Sequence, residues 1–294
     1  MMLLSTQTTN TALSIATALL IILNGRRNGG FYYRTMANLV CLATSASCGM
    51  FIALFLRLAG RPDLINWTST RLYYYLVSLL TGVSVKIEGQ EHLTSTGSKV
   101  IVCNHQSSLD MVFGGRVIPK GTSIVAKKAI KFYPLLGWYL SLSKTIFLDR
   151  ANRDNAVKAA RRAAKDIHRK KTSVWIFPEG TRYHGADINL LPFKKGAFYM
   201  AVQARVPIVP VVIENYDKIY DSKERRFESG TVRIKVLPPV PTTDVPEDSD
   251  SIDKLCTQVR EDMLKTLKEL SAPKVIEEEK QQPQKPTFQF STKL

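Results

Sequence analysis

His105 and Asp110 stand five residues apart in Asn104-His105-Gln106-Ser107-Ser108-Leu109-Asp110 and are the residue types needed to move a proton. A carboxylate that holds one imidazole nitrogen leaves the other to act as a base, which is two-thirds of a Ser-His-Asp arrangement. The missing nucleophile would be a hydroxyl on a substrate. A spacing of five does not align two side chains on a regular helix, which pairs i with i+3 or i+4. The two can meet if His105 sits in a turn and Asp110 in the first helical turns, with Ser107 or Ser108 as N-cap. The pair alone also has a plainer account. A His near a strand end is usually structural, and an Asp near a helix start is usually a cap or dipole partner.

The pair needs a strand behind it. Val100-Ile101-Val102-Cys103 is a continuous apolar run of mostly β-branched residues, the pattern of a strand buried on both faces. His105 then lies where that strand ends, and in open α/β sheets ligands collect at such ends. Further strands are expected at Val83–Ile87, Ser123–Ala126, Thr145–Leu148, Ser173–Phe177 and Thr231–Val236. Val206–Ile213 is apolar but holds Pro207 and Pro210, so it reads as an edge strand, a bulge or a substrate-lining stretch. Asp154–Lys171 is helical, with Ala156, Ala160, Ala163, Ala164 and Ile167 on one face. Ile252, Leu255, Val259, Met263, Leu267 and Leu270 form a second helical stripe after Ser251, a cap candidate. The fold class is α/β, a mainly parallel or mixed sheet covered by helices.

An N-terminal helical membrane anchor precedes this domain. Met1 to Gly25 carries no charge, and Leu3–Leu23 is long enough to span a bilayer. Basic residues follow the run at Arg26 and Arg27 rather than preceding it, which favours an anchor over a signal peptide. Thr35–Leu56 is a second uncharged run of spanning length. Leu72–Val83, with Tyr73, Tyr74 and Tyr75, suits an interfacial or core helix. Arginines on both sides of the second run pull toward the cytoplasm, so a re-entrant hairpin or a shallow monotopic anchor fits better than two full spans. The boundaries are 1–70 for the anchor, 71–270 for the α/β domain and 271–294 for a polar tail read as disordered.

The net charge of +16 implies acidic partners. No helix-turn-helix, zinc finger or aromatic RNA platform accompanies it, so anionic lipid and phosphate-bearing substrates fit better than nucleic acid. Cys41, Cys48, Cys103 and Cys256 suggest neither a metal cluster nor a disulfide scaffold.

Three further stretches end in residues suited to anions. Phe147-Leu148-Asp149-Arg150 closes one strand with an acid and a fixed cation. In Phe177-Pro178-Glu179-Gly180-Thr181-Arg182, Pro178 stops a strand, Gly180 lets backbone approach a ligand, and Arg182 offers a planar donor fork. Lys194-Lys195 precedes an apparent helix start, where amides also favour anions. Each alone is better explained as a surface pair or a solvated charge. Together with the His-Asp pair they outweigh that account.

NHQSSLD, FLDR, FPEGTR and VPIVPVV, in this order, resemble the four motifs of the glycerolipid acyltransferases, and LPFKKGAF between the last two resembles the eukaryotic 1-acylglycerol-3-phosphate acyltransferases. The likeness covers about Tyr73 to Leu270. It implies that His105 and Asp110 are the catalytic pair. It implies that Asn104, Phe147, Asp149, Arg150, Glu179, Gly180, Thr181, Arg182, Lys194, Lys195 and Pro210 bind or shape the substrate site. It also implies acyl-CoA as co-substrate, lysophosphatidic acid as acceptor, membrane lipids as partners, and neither metal nor cofactor. The family implies phospholipid and triacylglycerol biosynthesis in the membrane of the endoplasmic reticulum or the lipid droplet, with the site facing the cytoplasm. A lipid-binding module without turnover, an acyltransferase for another lysophospholipid or for glycerol 3-phosphate, and a serine lipase are the rival readings. The lipase needs a G-x-S-x-G elbow, which the sequence lacks.

Overall fold

The computed structural model describes residues 14, 17, 20–94, 97–143, 145–148, 161–167, 169, 171–183, 185 and 187–272. Seven strands form one sheet in the order β1-β9-β6-β2-β5-β3-β4. They are β1 (Val83–Glu88), β2 (Val100–Cys103), β3 (Thr122–Lys127), β4 (Ile146–Leu148), β5 (Ser173–Ile176), β6 (Ile208–Ile213) and β9 (Gly230–Val236). All neighbouring pairs are parallel except β6 with β9. β7 (Tyr220–Asp221) and β8 (Arg226–Phe227) form a separate two-stranded sheet whose Phe227 is buried in the core. β2 lies between β5 and β6, and all four of its residues are buried, as its unbroken apolar run requires.

Pleating sends alternate residues to two cores. Val100, Val102, Ile208 and Val212 face α5 (Gly196–Gln203), α6 (Ser249–Ser271) and the helix of residues 161–167, where Ala163, Ala164 and Ile167 are buried. Ile101, Cys103, Val209 and Val211 face α2 (Ile65–Thr81) and α3 (Asp110–Val117). α2 and α3 cross closely: a Cβ on Gly115 would meet the Thr70 carbonyl oxygen at 2.4 Å, so only glycine fits. The late helical stripe from Ile252 to Leu270 is buried throughout. Its cap is Asp248 rather than Ser251: the helix starts three residues earlier, at Ser249, and Asp248 accepts from the Asp250 and Ser251 amides. Ala156 and Ala160 of the earlier helix lie outside the described residues.

β6 is a central strand, not an edge, despite Pro207 and Pro210. Toward β9 the register passes from an Ile208–Val240 bridge to Val211–Val236, so one side advances a residue more than the other. Pro210 sits at that bulge. Its carbonyl accepts from Leu237, and its missing N–H costs no ladder bond there.

α1 (Phe31–Leu58) contains the second uncharged run and is long and apolar enough to cross a membrane. Its buried stripe is Arg34, Asn38, Cys41, Ser45, Ala46, Gly49 and Ala53, small or polar residues set against α2 and α4 (Leu136–Leu142). Asn38 accepts from the Tyr73 hydroxyl. Arg34 bonds the carbonyls of Arg26, Thr81 and Phe227 and the Glu228 carboxylate. The opposite face exposes Leu39, Phe51, Leu54, Phe55 and Leu58. That is the reverse of a soluble amphipathic helix. α2 takes up the third apolar stretch as a core helix, with Tyr73, Tyr74 and Val77 buried, and residue 70 falls inside it. Of the first run, Leu3–Leu23, only 14, 17 and 20–23 belong to the described residues, and the tail from 273 lies outside them.

Candidate active site

The loop after β2 brings the predicted pair together. His105 Nδ1 and Asp110 Oδ2 are 2.7 Å apart. Asp110 opens α3, and its carboxylate turns back over the loop to accept from the Gln106 and Ser107 amides at 2.6 and 2.9 Å. The aspartate thus organises the turn, and the serines do not cap with their side chains as expected. Ser107 Oγ instead accepts from the Leu109 amide. Asp110 is 0 % exposed, so its charge rests on these donors. The remaining oxygen, Oδ1, accepts from the Tyr216 hydroxyl. Burial and the neighbouring Asp110 carboxylate hold the Tyr216 phenol well above its ordinary pKa, so it stays a donor.

His105 is fixed from every side. Its ring stacks on Phe177, with centroids 4.1 Å apart. Its amide donates to Glu179 Oε1 at 2.8 Å, and its carbonyl accepts from the Tyr183 amide at 2.9 Å. The carboxylate on Nδ1 makes that nitrogen the donor and leaves Nε2 as the proton acceptor. The imidazole is 17 % exposed, enough to meet a substrate. Cys103 is no rival nucleophile: burial holds its thiol well above the ordinary value.

The other predicted residues divide by position. Asn104 is buried, and its amide bonds both the N–H and the carbonyl of Ile213, tying the ends of β2 and β6. Glu179 is buried as well. Its second oxygen accepts from the Leu191 amide at 2.9 Å, and its pKa is raised by burial against the opposing pull of both amides and His105. Gly180 adopts φ +73°, and Lys194 covers it so closely that a Cβ there would lie 2.8 Å from Lys194 Cε. Thr181 and Arg182 are exposed. Arg182 lines a cleft of about 170 Å³ with Gln106, Ser107, Tyr216 and Lys223, which flanks the dyad without being lined by His105 itself. Lys195 turns away to Asp253 on α6 at 2.5 Å. Phe147 packs with Ala126 and Tyr139 beneath α1 and α4. It stands on β4, three strands from β2, or ~14 Å at the usual strand spacing. Pro210 is buried within β6. Asp149 and Arg150 lie outside the described residues.

A family model described as Acyltransferase matches residues 84–214, which include the dyad and Arg182. The 1-acyl-sn-glycerol-3-phosphate acyltransferase of Saccharomyces cerevisiae is 35 % identical over 254 residues, 86 % of this chain and 83 % of that protein. The chain belongs to the 1-acyl-sn-glycerol-3-phosphate acyltransferase family. The human alpha form of that enzyme is 38 % identical over 206 residues, 70 % of this chain and 71 % of that one. The crystal structure of the 1-acyl-sn-glycerophosphate acyltransferase PlsC from Thermotoga maritima shares the fold. Its TM-score is 0.65 at 22 % identity, over 83 % of this chain and 96 % of the other. Tyr216 lies just beyond the stretch the family model matches and was not among the expected site residues. No local pattern marks it, because it reaches Asp110 only through the fold.

Proposed function

We propose that this acyltransferase moves an acyl group from acyl-CoA to the sn-2 hydroxyl of 1-acyl-sn-glycerol 3-phosphate, giving phosphatidic acid. The observation that carries this reading is the 2.7 Å His105–Asp110 bond beside a cleft that holds Arg182. His105 Nε2 takes the proton of the 2-hydroxyl as that oxygen attacks the thioester carbonyl. The ester C–O bond forms, the C–S bond breaks, and the departing thiolate takes the proton back from the imidazolium. Asp110 keeps the tautomer and stabilises the imidazolium between these steps. Arg182 and Lys194 supply a planar fork and a point charge for the acceptor's phosphate. The outward apolar face of α1 supports work at a membrane, and residence in the endoplasmic reticulum with a cytoplasmic site belongs to the same proposal.

The test is purified protein in mixed micelles with labelled acyl-CoA and a panel of lysophosphatidic acid, lysophosphatidylcholine, lysophosphatidylethanolamine and glycerol 3-phosphate. The expected result is phosphatidic acid, with lysophosphatidic acid preferred roughly tenfold to a hundredfold over the masked phosphates. Binding of acceptor without product would mean a lipid-binding module. Equal use of all lysolipids would mean a general lysophospholipid acyltransferase.

A further inference from the structure

Asp110 places its two carboxylate oxygens in different company. Oδ2 meets His105 Nδ1 and two backbone amides. Oδ1 meets the hydroxyl of Tyr216, a residue 106 positions further along the chain, at 2.5 Å. Tyr216 is 3 % exposed and follows the end of β6. A second contact joins its hydroxyl to Ser107 Oγ at 2.9 Å. An ionised carboxylate only accepts, so the phenol proton points to Asp110 and Ser107 must donate to the phenol oxygen. The Leu109 amide donates to Ser107 in turn. A directed chain therefore runs from the amide through Ser107 and Tyr216 to Asp110.

From this geometry we infer that Tyr216 is a positioning residue for acyl transfer, acting through Asp110 on His105. The inference rests on His105–Asp110 being the working dyad. A carboxylate held on one oxygen alone can rotate about its Cβ–Cγ bond. A donor on Oδ1 stops that rotation and keeps Oδ2 facing the imidazole. It also shares the carboxylate's charge, which sets how strongly the dyad holds a proton. The phenol is itself well seated. Its ring meets Phe113 edge to face at 5.1 Å, and its carbonyl accepts from the Ile219 and Tyr220 amides at 2.9 and 2.8 Å. Asp110 and, more distantly, Cys103 act on the phenol, Glu179 acts on both His105 and Asp110, and the cleft beside Tyr216 carries Arg182, Asp217, Asp221 and Lys223. A tyrosine present only to fill the core would not need its hydroxyl.

Tyr216→Phe keeps the ring and deletes the hydroxyl. The expected result is a kcat lower by about tenfold to a hundredfold, with KM for both substrates nearly unchanged. Losing a donor to Asp110 favours protonation of the dyad. The acid limb of the kcat/KM profile should therefore move to higher pH by roughly half a unit to one unit. Titration of the His105 ring by NMR in the same variant should move in the same direction, a readout that does not depend on turnover. Phe113→Leu removes the ring contact but leaves the hydroxyl, and should lower Tm without moving either pH readout. Should Tyr216→Phe fail to fold, Ser107→Ala breaks the chain one bond earlier and should move the limb the same way by less. An unmoved pH limb with wild-type kcat in Tyr216→Phe, or in Ser107→Ala in its place, overturns the inference, as does an equal shift in Phe113→Leu. A wild-type protein without acyl transfer would instead refute the parent reading.

Discussion

Replacing Glu179 with glutamine distinguishes a scaffold from a ligand contact. The wild-type carboxylate accepts from the His105 amide with one oxygen and from the Leu191 amide with the other. Glutamine has the same shape but only one acceptor oxygen. Its NH₂ group must then face one of two N–H donors fixed less than 3 Å away. One buried N–H is left without a partner, at a cost of ~1–3 kcal/mol. In a domain of this size that corresponds to a Tm fall of roughly 2–12 °C. The Leu191 segment or the His105 loop loosens, so kcat should fall with it. A pH signature accompanies the loss. Burial raises the folded Glu179 pKa above its unfolded value, so the folded state binds this proton first. Its contribution to stability therefore falls as pH rises from the ordinary carboxylate value through the folded one. Glutamine cannot titrate, so the stability gap between wild type and variant should narrow over that window. The assay is urea unfolding at a series of pH values beside steady-state kinetics. An unchanged Tm with a large rise in acceptor KM would refute this account and make Glu179 a direct substrate contact.

Three other outcomes are expected. His105→Ala should lower kcat by ~10²–10⁴-fold with the fold intact, and Asp110→Asn should lower turnover more than acceptor binding; near wild-type turnover in either, by steady-state kinetics, would remove the dyad. Arg182→Ala should flatten the preference among lysolipid acceptors and Arg182→Lys should restore it only in part, read as relative kcat/KM. Carbonate or high-salt washing should leave the protein in the membrane pellet and detergent should release it, whereas full release by salt would make the attachment electrostatic.

The dyad was legible because its determinants are local. A buried strand, a turn and a helix start lie within eleven residues, Val100 to Asp110, and each has its own signature. The strands of the sheet were legible for the same reason. Of the readings that Pro207 and Pro210 allowed, the bulge holds and the edge strand does not, because the rule against proline in central strands concerns a donor that the ladder needs. Whether it is needed depends on the register of β9, which no local window contains. Ser251 was a reasonable cap, but Asp248 accepts from the Asp250 and Ser251 amides and, as a carboxylate, starts the helix before Ser251 is reached. Glu179 reads as a ligand residue beside Arg182, yet its neighbours in space are two amides from distant loops. Tyr216 carried no signal, since its partner is 106 residues away.

The buried Arg34 bears on how this enzyme could be handled and redesigned. It binds the carbonyls that end α2 and β8, so α1 is bolted to the catalytic body and is not strung from it on a leash. Deleting residues before α2 would strip those carbonyls of their donor and leave the Tyr73 hydroxyl without Asn38. A water-soluble form is therefore not to be had by scissors. The workable route is repainting: polar replacements at Phe51, Leu54, Phe55 and Leu58, whose side chains face outward, with the Arg34 to Ala53 stripe untouched. In the proposed membrane-bound state, the same rigid joint would make the height of His105 above the bilayer a property of the fold, tuned by the depth at which α1 sits and not by the length of any linker.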